Sequence, residues 1–507
     1  MVEQTGPDRP ALGVKQALSG REALQIAFHP RSAAVAGVSI RPKATFNGMR
    51  WFKMIRQYGV VQRFYGLNPR GGVLRSGTRL YPSLRDVPDE VDYLISVIPA
   101  HAVLDLIDQA AEKGVRVMHL VTAGFGETGL ADRAALGDEL LRRAKAYGIR
   151  LLGPNCMGVH TPIGGVSWME DADPRPGRVA MLSQSGANAS EVVMRAQPRS
   201  VRFSYVASYG NAVDLNESDL LDYLADDADT DVVLAYLEGI KDGRRFVPLA
   251  RRLAARKPFV VLKGGATEAG GRAAASHTGS LAGSAEVWQA VVRQTKLIEV
   301  TSNDELLDIA VVAERLGGVR GRGVALVGRG GGHSVLAADA IARAGLELPP
   351  LSETTQERLS AYLPPAGNSI RNPVDSDVPW DSDDFLPALK AVSDDPQIDF
   401  VILQANIDNL PAGGSAADAG FEEGLRDRLL SAATEVSVPL AVVLRAPRTS
   451  AGVDLGIRLQ QQLGDAGVAV FESVGACALA MRRYLDWRTA TQGSSSAGAS
   501  TSAGLQQ

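Results

Sequence analysis

Short apolar runs alternate with helix-period segments along nearly the whole chain, and that alternation restricts what it can fold into. Ala33–Val38, Arg63–Leu67, Val91–Ile98, Arg116–Val121 and Ile149–Leu152 read as strands; between them 47–58, 103–113 and 133–147 read as helices. The pattern repeats in a second block from Gly177, with strands 179–182, 201–208, 231–238 and 258–262 and helices ending at Ala196, at 219–226, at 246–255 and at 285–296. A third block opens near Thr301, with strands 323–327, 400–403 and 439–444, a helix 334–344 and a last helix 475–487. Strands that alternate with helices form βαβ units around mostly parallel sheets, so the fold class is α/β. In such sheets ligands bind beyond the carboxyl ends of the strands. Here those ends carry glycine, proline and polar turns: Gly37 to Lys43, Asn68-Pro69-Arg70, Pro99, Thr122 to Glu127 and Gly153-Pro154-Asn155.

The 507 residues suffice for two to four domains at the usual ~100–200 residues each. A formal net charge of −4 favours neither nucleic acid nor an anionic membrane surface as partner. No apolar run approaches the ~18 residues of a membrane span, and the polar start lacks a signal-peptide core, so a cytoplasmic protein is expected. Two distant cysteines, Cys156 and Cys477, supply neither a disulfide framework nor a metal site, and no metal is expected. The Ser/Ala/Gly-rich tail from 490 to 507 and the start to residue 18 are expected to be disordered.

Chemistry concentrates at a few positions. His277, one of six histidines, lies in a loop of small residues, Gly264 to Ser284, between a buried strand and a helix. Nothing bulky is there to pack it. A neutral imidazole is a competent nucleophile, and a flexible loop would let it carry a covalent group between two places. Glu238 ends a buried strand in Tyr236-Leu237-Glu238-Gly239-Ile240, where a carboxylate can fix one imidazole nitrogen and leave the other to attack. Two strand-to-helix junctions, Ser183-Gln184-Ser185-Gly186 and Gly330-Gly331-Gly332-His333-Ser334, place small residues at helix starts, where N–H groups and the positive helix end attract phosphate. The first strand lacks GxGxxG and the second ends in a basic rather than an acidic residue, which weakens a dinucleotide dehydrogenase. No P-loop, zinc motif, nucleophile elbow or ATP-binding lobe is present.

Those residues resemble the α subunit of NDP-forming acyl-CoA synthetases, relatives of succinyl-CoA synthetase. The resemblance runs from about Pro30 to Trp487 through Leu67-Asn68-Pro69, Thr122 to Glu127, Gly153 to Gly158, Ser183 to Ala187, Tyr236 to Gly243 and Ser276 to Gly279. It continues through Ala337-Ala338-Asp339, Gly345 to Leu348 and Asn372 to Asp375. It implies a Rossmann-like CoA-binding domain at 19–152 and two flavodoxin-like ligase domains at 153–300 and 301–489. It implies that His277 is phosphorylated and that Glu238 steadies it. Ser183, Ser185, Gly186, Gly331 and Gly332 would hold phosphate. Gly37, Ser39, Arg41, Lys43, Asn68, Arg70, Pro99 and Asn155 would hold coenzyme A. The implied reaction interconverts carboxylate, CoA and ATP with acyl-CoA, ADP and phosphate through an acyl phosphate and a phosphohistidine. ATP or ADP and Mg2+ are expected on a separate ATP-grasp β subunit, in an αβ or α2β2 assembly. His333 departs from the family's Gly-Gly-Pro-Gly turn. Two other readings stay open: a CoA-binding regulatory module, and an acyl or CoA transferase that needs no nucleotide.

Overall fold

The computed structural model describes residues 16–39, 47–272, 284–364, 367–376, 378–407, 419–445 and 450–499. The expected sites His277, Arg41 and Lys43 lie outside the described residues.

Three sheets form. The first takes strands β1 (Ser32–Ala36), β2 (Arg63–Leu67), β3 (Gly72–Val73), β4 (Arg79–Tyr81), β5 (Tyr93–Ser96), β6 (Val117–Leu120) and β7 (Arg150–Leu152), in the order β3-β4-β2-β1-β5-β6-β7. All its pairings are parallel except β3 with β4. The second takes β8 (Gly158–His160), β9 (Val179–Ser183), β10 (Phe203–Ser208), β11 (Val232–Leu237), β12 (Phe259–Lys263) and β13 (Ile298–Val300), in the order β13-β12-β11-β9-β10-β8, with β8 antiparallel. The third is parallel in its named strands, β14 (Val324–Gly328), β15 (Val374–Asp375), β16 (Phe400–Asn406), β17 (Leu440–Arg445) and β18 (Ala469–Phe471), in the order β15-β14-β16-β17-β18. The α/β class with mostly parallel sheets expected from the alternation is the one observed.

The chain divides into two compact units, one of 1–191, 203–256 and 263–295, the other of 192–202, 257–262 and 296–507. In the first, strands β1, β5, β6 and β7 are almost continuously apolar because helices cover the sheet. Ala34, Leu94, Met118, Leu120 and Leu151 meet Val103, Ile107, Leu140 and Ala144 from those helices. In the second, Val401, Leu403 and Val442 pack with Leu389, Leu425, Leu429, Leu455 and Leu459 in the same way.

The chain is already tied down at Gln16 and Leu18, whose carbonyls accept bonds of 2.9 Å from Arg116 and 2.8 Å from Arg150. A helix then runs over Gly20–Phe28 behind a capping box in which Ser19 and Glu22 bond each other's backbone. At the other end, the final helix spans Val474–Ala499 and so enters the tail expected to be disordered.

Candidate active site

Three strand ends of the first unit line up at the carboxyl edge of the second sheet. Ser208 of β10, Ser183 of β9 and Tyr236 of β11 share one register row. The next residues along the chain, Tyr209, Gln184 and then Leu237-Glu238, therefore emerge side by side.

Ser183 builds the turn after β9. Its buried hydroxyl donates to the Ser185 carbonyl at 2.7 Å and accepts from the Ser185 N–H at 3.1 Å. Ser185 in turn caps the helix Gly186–Ala196, its Oγ accepting from the Asn188 N–H at 3.2 Å. Ser183 thus shapes the junction from beneath, while Gln184, Ser185, Gly186 and Ala187 form part of a cleft wall. The cleft has a volume of about 510 Å³, within the usual range for small-molecule sites. Pro99 and Asn155, expected at the CoA site, line the same cleft, so it joins the strand ends of the first sheet to the phosphate-type junction. Asn155 adopts a left-handed φ of 58°, and its N–H donates to the Thr122 carbonyl at 3.0 Å. Asn211, on the same wall, donates to Glu127 Oε2 at 2.8 Å, and Glu127 Oε1 accepts from the N–H groups of Gly124 at 2.6 Å and Phe125 at 3.1 Å.

Of the other expected CoA residues, Gly37, Ser39, Asn68 and Arg70 are described, and they do not line that cleft. Gly37 has φ +92°, and a Cβ there would stand 2.3 Å from the Val97 carbonyl, so the turn after β1 admits only glycine. Asn68 holds that turn, donating to the Val38 carbonyl at 2.7 Å and accepting from the Arg70 N–H at 3.0 Å. Ser39 is half-buried and Arg70 exposed.

Glu238 is 6% exposed at the end of β11. Its Oε1 accepts from the Tyr236 hydroxyl at 3.2 Å, while Oε2 is buried without a hydrogen-bond partner among the described residues. The backbone beneath it is clamped from two sides. Gln184 Oε1 accepts from the N–H groups of both Glu238 and Gly239, the latter at 2.9 Å, and Gln184 Nε2 donates to the Gly239 carbonyl at 2.8 Å. Lys263 Nζ donates to the Glu238 carbonyl at 2.7 Å and also to the Gly264 carbonyl. Burial pushes the Lys263 ammonium below its usual range. Gly264, the first residue of the small-residue loop, donates its N–H to the Leu237 carbonyl at 2.9 Å. A Cβ on Gly264 would lie 2.8 Å from the Tyr236 hydroxyl and 3.3 Å from Glu238 Cγ. The root of the loop that bears His277 is therefore docked against Glu238.

A second carboxylate stands close by. Glu217 is fully buried; its Oε1 accepts from the Lys241 N–H at 2.8 Å and its Oε2 has no partner among the described residues. Burial raises its pKa. The Tyr209 hydroxyl is also buried and unpartnered, and burial together with the charges of Glu217 and Glu238 pushes its ionisation up.

The junction of the other unit is built differently. Gly330, with φ +103°, precedes the helix Gly331–Ala344 and donates its N–H to Asp375 Oδ1 at 2.7 Å. Asp375 Oδ2 would be 3.2 Å from a Cβ on Gly331, so a carboxylate already faces this helix start. Around Gly332 the space is open, and His333 is exposed. A cleft of about 640 Å³ beside this junction is lined by His333, Gln404, Arg445, Glu472 and Ser473 among others.

Two other histidines have surroundings unsuited to a nucleophile. Burial drives His119 down to about 3 and His160 to about 4, and His119 has no partner on either ring nitrogen among the described residues. Gln184, Lys263, Asn211 and Asp375 were not singled out from the sequence as site residues. Their roles are long-range hydrogen bonds that appear only once the strand order is known.

Comparison with known proteins agrees with this layout. A family model described as a CoA binding domain matches residues 31–162, and one described as a succinyl-CoA ligase like flavodoxin domain matches 176–313. The α subunit of acetate–CoA ligase [ADP-forming] II of Pyrococcus furiosus is 38% identical over 376 residues, covering 74% of this chain and 80% of the relative. Acetate–CoA ligase [ADP-forming] I of Archaeoglobus fulgidus is 38% identical over 74% of this chain, which spans only 54% of that longer protein. The solved structure of dinucleotide forming acetyl-coenzyme A synthetase 1 from Ca. Korarchaeum cryptofilum, in complex with phosphate and ADP, superposes with a TM-score of 0.78 at 30% identity, covering 92% of this chain and 97% of that one. The chain belongs to the family of ADP-forming acyl-CoA synthetases, within the succinyl-CoA synthetase superfamily, and corresponds to its α subunit.

Proposed function

We propose that this chain is the acyl-transferring and phosphoryl-carrying subunit of an ADP-forming acyl-CoA synthetase, an acid–thiol ligase. The observation that carries the reading is the docking of the loop root, Gly264, against Glu238, whose Oε2 has no hydrogen-bond partner among the described residues. An imidazole N–H arriving from that loop would satisfy it, fix the tautomer and leave the other nitrogen free to attack.

The chemistry proceeds in three reversible steps. A phosphate oxygen at the Ser185–Gly186 junction attacks the thioester carbonyl; the C–S bond breaks, and the thiolate leaves as CoA and takes a proton. The helix start favours the dianion, and the junction donors favour the charge that develops on the tetrahedral centre. His277 then attacks phosphorus in the acyl phosphate, the P–O bond to the acyl group breaks, and a carboxylate departs. The phosphohistidine finally transfers its phosphoryl group to ADP. The Gly331–Gly332 junction is a second phosphate site in this scheme. Gly37, Ser39, Arg41, Lys43, Asn68 and Arg70 surround the CoA nucleotide, with Pro99 and Asn155 along its arm.

The nucleotide step belongs to a separate ATP-grasp subunit that holds ATP or ADP and Mg2+, in an αβ or α2β2 assembly. The α-subunit name of the P. furiosus relative supports a partner, and so does the greater length of the A. fulgidus relative. No described helix is long and apolar enough to cross a membrane.

The test is release of CoA thiol from acetyl-CoA in the presence of phosphate and ADP, with and without a candidate ATP-grasp chain. The reading expects ATP formation equimolar with thiol only when both chains are present. Thiol release that needs neither phosphate nor ADP would favour a transferase instead.

A further inference from the structure

The cleft of the first unit carries no Asp, Glu, Lys, Arg or His among its described lining residues. Its polar groups are amides and hydroxyls, and at its phosphate end stands one long apolar side chain, Met157. A Cβ placed on Gly186 would meet Met157 Cγ at 2.5 Å, so this thioether chain lies directly against the first residue of the helix Gly186–Ala196.

Met157 is held there by its backbone. Its N–H donates to Ser208 Oγ at 3.2 Å, and its carbonyl accepts from Trp51 Nε1 at 3.3 Å. Trp51 is buried and Ser208 ends a buried strand, so neither anchor yields. The side chain itself is half-buried and faces the cleft. A pinned backbone with a flexible side chain makes an adjustable wall.

We propose that Met157 is the specificity-determining residue for the acyl group and limits its bulk. This rests on the synthetase reading, because it takes the Ser185–Gly186 junction as the place where phosphate meets the thioester carbon. The acyl substituent must then lie beside that carbon, against Met157.

The experiment compares wild type, Met157→Leu, Met157→Ala and Met157→Phe as full chains with the ATP-grasp partner, ADP and phosphate. It reads kcat/KM for acetyl-CoA, butyryl-CoA, phenylacetyl-CoA and succinyl-CoA. One methylene in an apolar pocket discriminates by roughly 10–200-fold. Met157→Ala is therefore expected to raise the phenylacetyl-to-acetyl ratio at least tenfold, Met157→Phe to lower the butyryl-to-acetyl ratio, and Met157→Leu to leave both near wild type. Unchanged ratios in Ala and Phe variants that still turn over acetyl-CoA would overturn the proposal. So would a wild type that uses phenylacetyl-CoA as well as acetyl-CoA. If Met157→Ala fails to fold, the Phe variant decides alone. A wild type that turns over none of the four thioesters overturns the synthetase reading itself, and the proposal with it.

Discussion

Gln184→Ala tests whether the phosphate junction and the carboxylate act as one unit. Gln184 makes three hydrogen bonds to the end of β11: Oε1 accepts from Glu238 and Gly239, and Nε2 donates to the Gly239 carbonyl. Each is worth about 1 kcal/mol net, so the clamp contributes about 3 kcal/mol at most. Gln184 is half-buried in an open cleft, and water replaces part of that, leaving a loss of about 2 kcal/mol. If that strain falls on the position of Glu238, phosphoryl transfer slows about 30-fold at 1.36 kcal/mol per decade. The assay is single-turnover phosphorylation of this chain by acetyl phosphate, quenched in alkali because phosphohistidine is acid-labile. Gln184→Glu keeps both accepted N–H bonds but sets a carboxylate oxygen against the Gly239 carbonyl and adds negative charge beside the phosphate junction, so it does not restore the rate. A Gln184→Ala rate within twofold of wild type, in a folded protein, would refute the idea that the amide positions Glu238.

Other outcomes follow from the same geometry. Glu238→Gln keeps the shape but loses the charge that steadies an imidazolium, so phosphorylation by acetyl phosphate falls at least about a hundredfold. The same substitution removes a buried charge, and the melting temperature should not drop. Glu217 binds a proton more readily folded than unfolded because burial raises its pKa. Above the ordinary glutamate range the folded state keeps a proton the unfolded chain has lost, so stability falls as pH rises through the raised value. Glu217→Gln removes that decline, which denaturant titrations across pH measure. Burial pushes Cys156 up to about 12 and Cys477 higher still. Iodoacetamide at pH 8 should therefore label neither cysteine in the native protein and both in guanidinium, as read by intact mass.

Much of the fold was legible because each buried parallel strand is an apolar run closed by glycine or proline. β2 was read at its observed bounds, 63–67, and β1, β5, β6, β11, β14 and β17 within a few residues. The short strands escaped. β3 has two residues, both exposed, and β4 has three; they pair as a small hairpin without an apolar signature. β8 is three residues long and is set antiparallel by its partner β10, a tertiary choice. The helices Gly20–Phe28, Asn303–Arg315, Glu353–Ser360, Phe385–Ser393, Ala419–Glu435 and Ser450–Asp465 do not stand out in the sequence reading. For the first, Ser19 and Glu22 spelled a capping box that would have revealed it.

The site was legible where its chemistry is local. Glu238 at a strand end and Ser185-Gly186 at a helix start are visible in sequence because each needs only its own neighbours. Gln184 was quoted in a motif, yet its function depends on β9 lying beside β11, which no local pattern encodes. The same holds for Asp375, which reaches the Gly330 turn only because β15 pairs with β14. Ser183 shows the converse: as a serine at a phosphate-type turn it was expected to bind anion, whereas its hydroxyl is spent on Ser185.

The central claim is that this chain carries a phosphoryl group on His277. Intact-protein mass spectrometry after incubation with acetyl phosphate, at neutral pH and without any partner, measures it directly. The account predicts a single adduct of one phosphoryl group that is stable in alkali, is lost in acid and on adding ADP with the ATP-grasp chain, and is absent in His277→Ala. An adduct that persists in His277→Ala, or no adduct in a folded wild type that binds CoA, would contradict it.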